Sequence, residues 1–405
     1  MDRSVIRFLY IVNFANIMFT RPLLYILNHK NIFGIGFDED STIDFIPFIS
    51  VSFLVFSNFS RFANGLALFN NYLFGDNNYK ILENMLILLV STLIVECYIV
   101  CFAYEFNLSI FAGCFLLRQY LYGSIDYTLD QMDIAYNQSY RVIGLLPLMI
   151  MILGIVFKSY VMLSLKLYYS ILIFSVFLGN YLVGLEYETY RIKNKEIKID
   201  YTKKKENLKR VSIDKFIWIF IMLLMVSYVD GAGDAIATEK LWNSKDINYF
   251  IINQLVRIVT SILTFPPIQK LFITSNNKSN YISSLIIFRF ILLVSMKYVE
   301  FKSFIFLIQC SIDIYVGTVF MNDYLDKNKQ IFWRSSTNSK YYVSASFAYF
   351  INENVPPFIK MVLVLILTKI GKQIEIGIYF TLPIMSLAIL CINTIPIIQN
   401  KLKNY

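Results

Sequence analysis

Charge is scarce in this chain: only 16% of its 405 residues are ionised side chains, against about 25% in soluble domains. That shortage excludes an ordinary water-soluble fold. Histidine is scarcer still, with His29 alone and lying in a loop. The five cysteines, Cys97, Cys101, Cys114, Cys310 and Cys391, fall in or beside apolar runs with no metal-ligand partners at useful spacing. A disulfide scaffold, a zinc site and histidine-based catalysis are therefore not expected. No Gly-rich phosphate loop occurs, and no polar stretch is long enough to fold into a nucleotide-binding domain, which argues against an ATP-driven pump. The chain is not expected to be an enzyme or to carry a cofactor or metal.

What the chain has instead is apolar length. Residues of the hydrophobic types make up 57% of it, arranged in twelve runs: 5–27, 45–68, 82–103, 107–129, 142–162, 166–185, 215–236, 247–268, 281–299, 303–322, 342–370 and 375–398. A spanning helix needs roughly 20 such residues, and twelve of them consume about 240. The expected fold is all-α and membrane-integral, with about twelve transmembrane helices. The first run is expected to act as an uncleaved signal anchor. Trp218, Trp242 and Trp333 fall near run ends, as interface anchors do, and Pro356-Pro357 is expected to kink run 11.

One polar stretch separates the sixth run from the seventh. It contains Arg191, Lys193, Lys195, Lys198, Lys203, Lys204, Lys205, Lys209 and Arg210. Positive loops stay on the cytoplasmic side, so residues 186–214 read as a cytoplasmic linker, with both termini in the cytoplasm of a cell-membrane protein. The net charge of +9 then reflects topology rather than nucleic-acid binding. The loop before run 2 is acidic at Asp38, Glu39, Asp40 and Asp44, as an outer loop should be. The loop after run 10 is basic at Lys327, Lys329, Arg334 and Lys340, as an inner one should be. Residues 1–185 and 215–405 read as two six-helix bundles, with Ser124-Ile125-Asp126 of run 4 echoed by Ser311-Ile312-Asp313 of run 10.

Buried charge follows a rhythm, falling mainly in runs 1, 4, 7 and 10. An ionisable residue at membrane depth costs at least about 2.5–3.5 kcal/mol on insertion scales, so it needs a partner or a cavity. At about 1.5 Å per residue, Arg118, Asp313 and Arg257 lie at one depth and form a candidate substrate or proton site. Arginine offers fixed positive charge and two-pronged recognition of carboxylate or phosphate. Asp313 is the expected proton-handling group, and a permanent Arg–Asp bolt between helices is the alternative. Arg21 with Asp230 or Asp234 forms a candidate outer gate, because the two aspartates share a helical face. Asp126 and Asp130 form a candidate inner gate. For these end charges, ordinary solvation is the alternative.

At this point the chain resembles the major facilitator superfamily. Run 4 reads Phe115-Leu116-Leu117-Arg118-Gln119-Tyr120-Leu121-Tyr122-Gly123, which looks like the Arg-x4-Gly signature of that family's fourth helix. Gly75-Asp76-Asn77-Asn78-Tyr79-Lys80 is similar to its 2–3 loop motif at Asp76 and Lys80, without the glycine and first arginine. The resemblance is that of a divergent member. It implies that helices 1, 4, 7 and 10 line a cavity and that 3, 6, 9 and 12 face lipid. Glu96 in run 3 and Arg289 in run 9 break that pattern. Either they turn inward to a neighbouring helix, or the assignment of faces fails.

The functional expectation is a monomeric secondary transporter in the lipid bilayer. It moves a small polar solute, with a zwitterion suited to the split of charge, coupled to protons. A flippase for a lipid-linked or polysaccharide precursor is the alternative, and a non-transporting receptor is a third class.

Overall fold

A computed structural model describes residues 3–29, 78–100, 108–132, 143–157, 160–196, 210–212, 247–263 and 342–344, with isolated positions between 48 and 64 and at 217, 220, 291, 351, 355, 358 and 359. Among the described residues, the helices are α1 (Arg3–Asn28), α2 (Asn78–Tyr98), α3 (Leu108–Met132), α4 (Leu146–Val156), α5 (Val161–Glu196) and α6 (Ile247–Leu263). They correspond to runs 1, 3, 4, 5, 6 and 8. Runs 10 and 12, and most of runs 2, 7, 9 and 11, lie outside the described residues. The chain forms two compact units, one of Met1–Leu208 with Lys245–Ile247, the other of Lys209–Ser244 with Asn248–Tyr405.

Among the described residues of the first unit, three helices are long and apolar enough to cross a membrane: α1, α2 and α5. Their faces differ. On α2 the large apolar residues Ile87, Val90 and Ile94 are exposed, three or four apart and so on one stripe. On α5 the exposed stripe runs through Leu163, Leu167, Ile171, Phe174, Phe177 and Tyr181. Such stripes suit hydrocarbon, as the resemblance implies for the third and sixth helices. The opposite face of α2 buries Met85, Leu89, Thr92 and Glu96, so Glu96 turns inward. By contrast, α1 is enclosed, burying every residue from Leu23 to Leu27 almost completely. Pro22 sits inside it, which spanning helices tolerate because neighbours can satisfy the freed carbonyl.

Polar side chains inside these helices are mostly satisfied locally. Thr20, Thr92, Ser124 and Thr128 each donate to the carbonyl four residues back, at 2.7–2.9 Å. This is how hydroxyls are accommodated where water is absent.

α4 and α5 cross closely at Gly154. A Cβ there would stand 2.4 Å from Ser164 Oγ and 2.8 Å from Ser164 Cβ, so only glycine allows the approach.

Run 6 was expected to end at 185, but α5 continues to Glu196. Its segment Glu186–Glu196 contains no glycine or proline and sets opposite charges three residues apart at Glu188/Arg191 and Lys193/Glu196, a spacing that supports an exposed helix. Arg191 and Glu188 illustrate it with an exposed contact at 3.3 Å, of the kind that adds little stability. Polarity here marks solvent, not the end of helix. At about 1.5 Å per residue α5 is roughly 54 Å long, well beyond a hydrocarbon core of about 30 Å.

The second unit contains one feature the all-helical reading lacked. Strands β1 (Arg210–Ser212) and β2 (Tyr342–Ser344) pair antiparallel, with Val211 opposite Val343. Paired strands must lie on one side of a membrane. The segment before run 7 and the one at the start of run 11 therefore share a side.

Candidate functional site: a buried arginine among α1, α2, α3 and α5

Arg118 sits near the middle of α3 and is fully buried. Its own helix frames it. Phe115 and Tyr122, three residues before and four after, place their rings 5.7 Å and 4.8 Å from the guanidinium carbon, within cation–π range. Its polar partners come from other helices. Nε donates to Glu96 Oε1 of α2 at 2.6 Å, and Nη2 donates to Asn16 Oδ1 of α1 at 2.9 Å. The hydroxyl of Tyr168 on α5 donates to the same Asn16 oxygen at 2.5 Å. Four helices thus meet at one guanidinium. Phe19 of α1 stacks on the Tyr168 ring and holds it in place.

The pairing is incomplete in one respect. Arg118 Nη1 and Gln119 Nε2 are buried and make no hydrogen bond among the described residues. In a low-dielectric interior such atoms are costly to leave alone.

Further contacts run along α3, which lies antiparallel to α1. Thr20 reaches Gln119 at 3.5 Å on one side of the arginine. On the other, Asn13 donates to Asp126 at 3.0 Å and Asn64 donates to Ser124 at 2.5 Å. Asn84 of α2 meets Thr128 at 3.5 Å. The result is a polar seam between α1 and α3, with Arg118 as its one fully buried cation among the described residues.

Asn16 is the hinge of this arrangement. Asn16→Ala removes the acceptor for one charged donor and one phenol. It is expected to cost about 3 kcal/mol, against about 1 for Tyr168→Phe, read from chemical unfolding in mixed micelles. Equal losses would mean that Asn16 does not carry the Arg118 contact.

The sequence-derived site residues fall out as follows. Arg118 is fully buried and pairs with Glu96. Asp126 is half-buried and joined to α1 through Asn13. Asp130 lies on α3 and Arg257 on α6, but their side chains lie outside the described residues. Arg21 is half-buried on α1. Asp230, Asp234 and Asp313 lie outside the described residues. Glu96, Asn16 and Tyr168 were not among the expected site residues. Glu96 had been marked only as an exception to the pattern of faces, and its burial against Arg118 settles that question in favour of an inward turn. Asn13, Asn16 and Thr20 recur at spacings of three and four on run 1, the one signal that could have singled them out. Among the described residues, no group of three His, Cys, Asp or Glu side chains could hold a metal.

No known family's sequence profile matches the chain, and no curated protein does. Solved structures do match it nearly end to end, two of them as follows. One is a bacterial homologue of the iron transporter ferroportin, in an outward-facing state with soaked iron. It matches with TM-score 0.53 and 8% identity, over 97% of this chain and 98% of that one. The other is the E. coli fucose:proton symporter FucP, with TM-score 0.52 and 10% identity, over 96% and 97%. At such identities the likeness concerns the fold. The chain shares the fold of these two structures, and three of its described helices are long and apolar enough to cross a membrane.

Proposed function

We propose that the protein is a secondary transporter that moves a small polar solute by alternating access, coupled to protons. Residues 1–185 and 215–405 would be its two six-helix bundles, joined by a cytoplasmic linker at 186–214, with both termini inside. The observation that carries this reading is the buried Arg118, enclosed by four helices of a transporter-type fold and holding an open donor at Nη1. Helices that needed only to be fastened together would be served better by apolar packing, since a buried ion pair stabilises little net of desolvation. In this proposal Arg118 contributes the positive pole, and Asp313 the negative one with a proton-handling role. A zwitterion such as an amino acid satisfies both. Arg21 with Asp230 or Asp234 closes the outer side, Asp126 and Asp130 act at the inner side, and Arg257 borders the central site.

Reconstitution in liposomes with labelled amino acids, sugars, nucleosides and organic anions, with and without a pH gradient, tests this. Solute-specific flux that rises with the gradient is the expected result. Arg118→Ala and Asp313→Ala are expected to insert normally, yet to lower uptake about ten- to a hundredfold, the value of a charged hydrogen bond. Unchanged uptake in both variants removes them from the mechanism. Absence of flux for every solute overturns the transporter reading.

A further inference from the structure

We propose that the cytoplasmic end of α5, at Arg191, binds the headgroup phosphate of anionic lipids in the inner leaflet. This rests on the topology proposed above, which puts the segment after run 6 in the cytoplasm, and not on what the protein carries.

The depth of Arg191 follows from its own helix. From Leu167 to Leu185, α5 has no ionised side chain. That stretch is about 28 Å long at 1.5 Å per residue, close to a hydrocarbon core of about 30 Å. Leu167, Ile171, Phe174, Phe177, Tyr181 and Leu185 are exposed along it. Lys166, just before it, is exposed too. Between Lys166 and Arg191 the helix makes about seven turns of 3.6 residues and rises about 38 Å. The two cations therefore lie on one side of α5, near the separation of about 40–45 Å that a bilayer has with its headgroups. Lys166 stands at one headgroup layer and Arg191 at the other.

The arginine also reaches in the right direction. Helical side chains lean toward the helix N-terminus, which at this end of α5 is toward the bilayer. Arg191 Nη1 meets Glu188 Oε1, three residues nearer the bilayer, at 3.3 Å, with both side chains more than half exposed. Ile192 beside it is 61% exposed, an apolar group in a segment whose composition suits water. The boundary between headgroups and acyl chains gives it cover.

Charge complementarity names the occupant. The cytoplasmic leaflet carries anionic lipid, and basic clusters directly after a spanning helix attract it. Beyond Arg191 come Lys193 and Lys195 on the last turn of α5, and then Lys198. A guanidinium grips a phosphate with two parallel hydrogen bonds. Its exposed contact with Glu188 is of the kind that adds little, so a phosphate can replace it.

The test uses the full chain with Trp218, Trp242 and Trp333 changed to Phe and a single reporter, Leu185→Trp, in phosphatidylcholine bilayers. Brominated phosphatidylcholine or brominated phosphatidylglycerol is added, and quenching of the reporter gives the preference for each lipid beside the end of α5. Phosphatidylglycerol is expected to be preferred by at least about fivefold, the effect of one cation near the surface. Arg191→Gln should lower that preference about fivefold, and Glu188→Gln, which removes the competing carboxylate, should raise it. If the reporter chain does not fold, retention of spin-labelled phosphatidylglycerol over spin-labelled phosphatidylcholine by wild type, Arg191→Gln and Glu188→Gln decides, in the same order. An arginine that only fastens to Glu188 would leave the preference unchanged in both variants, which overturns the proposal. Loss of the preference in millimolar inorganic phosphate at constant ionic strength would assign the arginine to the free ion and also overturns it. Both results leave the topology standing. A reporter quenched by neither lipid means that this face of α5 does not meet hydrocarbon, and overturns the topology of α5 together with the proposal.

Discussion

Glu96→Leu is expected to destabilise the folded protein by about 3–5 kcal/mol, the largest single-residue effect in the described structure. The leucine fills similar volume, so the loss does not come from a cavity. It comes from leaving Arg118, fully buried and unable to give up its proton, without a counter-charge. Adding Arg118→Leu to the same chain should recover most of the loss, since replacing a whole buried pair by apolar side chains is often neutral or stabilising. Asn16 and Tyr168 would then still satisfy each other through the bond they share. Chemical unfolding in mixed micelles, followed by tryptophan fluorescence, measures all three proteins. A double variant no more stable than Glu96→Leu alone would mean that the ion pair is not what the single change breaks. Transport is expected to be lost in both, which separates the cost to stability from the cost to function.

The second large effect is steric. Gly154→Ala should cost about 3 kcal/mol, at the upper end for overpacking, because the new methyl would overlap Ser164, whose Cβ would lie only 2.8 Å away. The obstacle is the start of a neighbouring side chain, not its flexible tip, so α4 and α5 would have to move apart. Ser164→Gly in the same protein removes that obstacle and should restore most of the stability. If Gly154→Ala is as stable as wild type, the two helices are not so closely packed.

Why some of this was legible from sequence and some was not follows from what each feature depends on. Runs 1, 3, 4 and 8 revealed their helices because apolar length is a property of the segment itself. Run 6 concealed the end of its helix, since α5 leaves the bilayer at a change of composition without any change of backbone. Arg118 stood out because a charge in an apolar run is costly wherever it points. Its partner did not, because facing depends on which helices become neighbours, and the sequence suggested a carboxylate in the other bundle at Asp313. Glu96 was visible as an anomaly, and only the packing of α2 against α3 turned that anomaly into a contact. The Gly154 crossing and the β1–β2 pair join segments through tertiary placement, which local composition does not record.

The enclosed position of α1 also affects how the protein is made. Its asparagine at position 16 waits for Arg118 and Tyr168, which lie 102 and 152 residues further along the chain. At a synthesis rate of about 5–20 residues per second, the later partner emerges roughly 8–30 s after it. During that interval a polar stripe stands ready in the nascent chain with nothing to bind. The insertion machinery, or a borrowed neighbouring segment, must shield it from hydrocarbon until the rest of its bundle arrives.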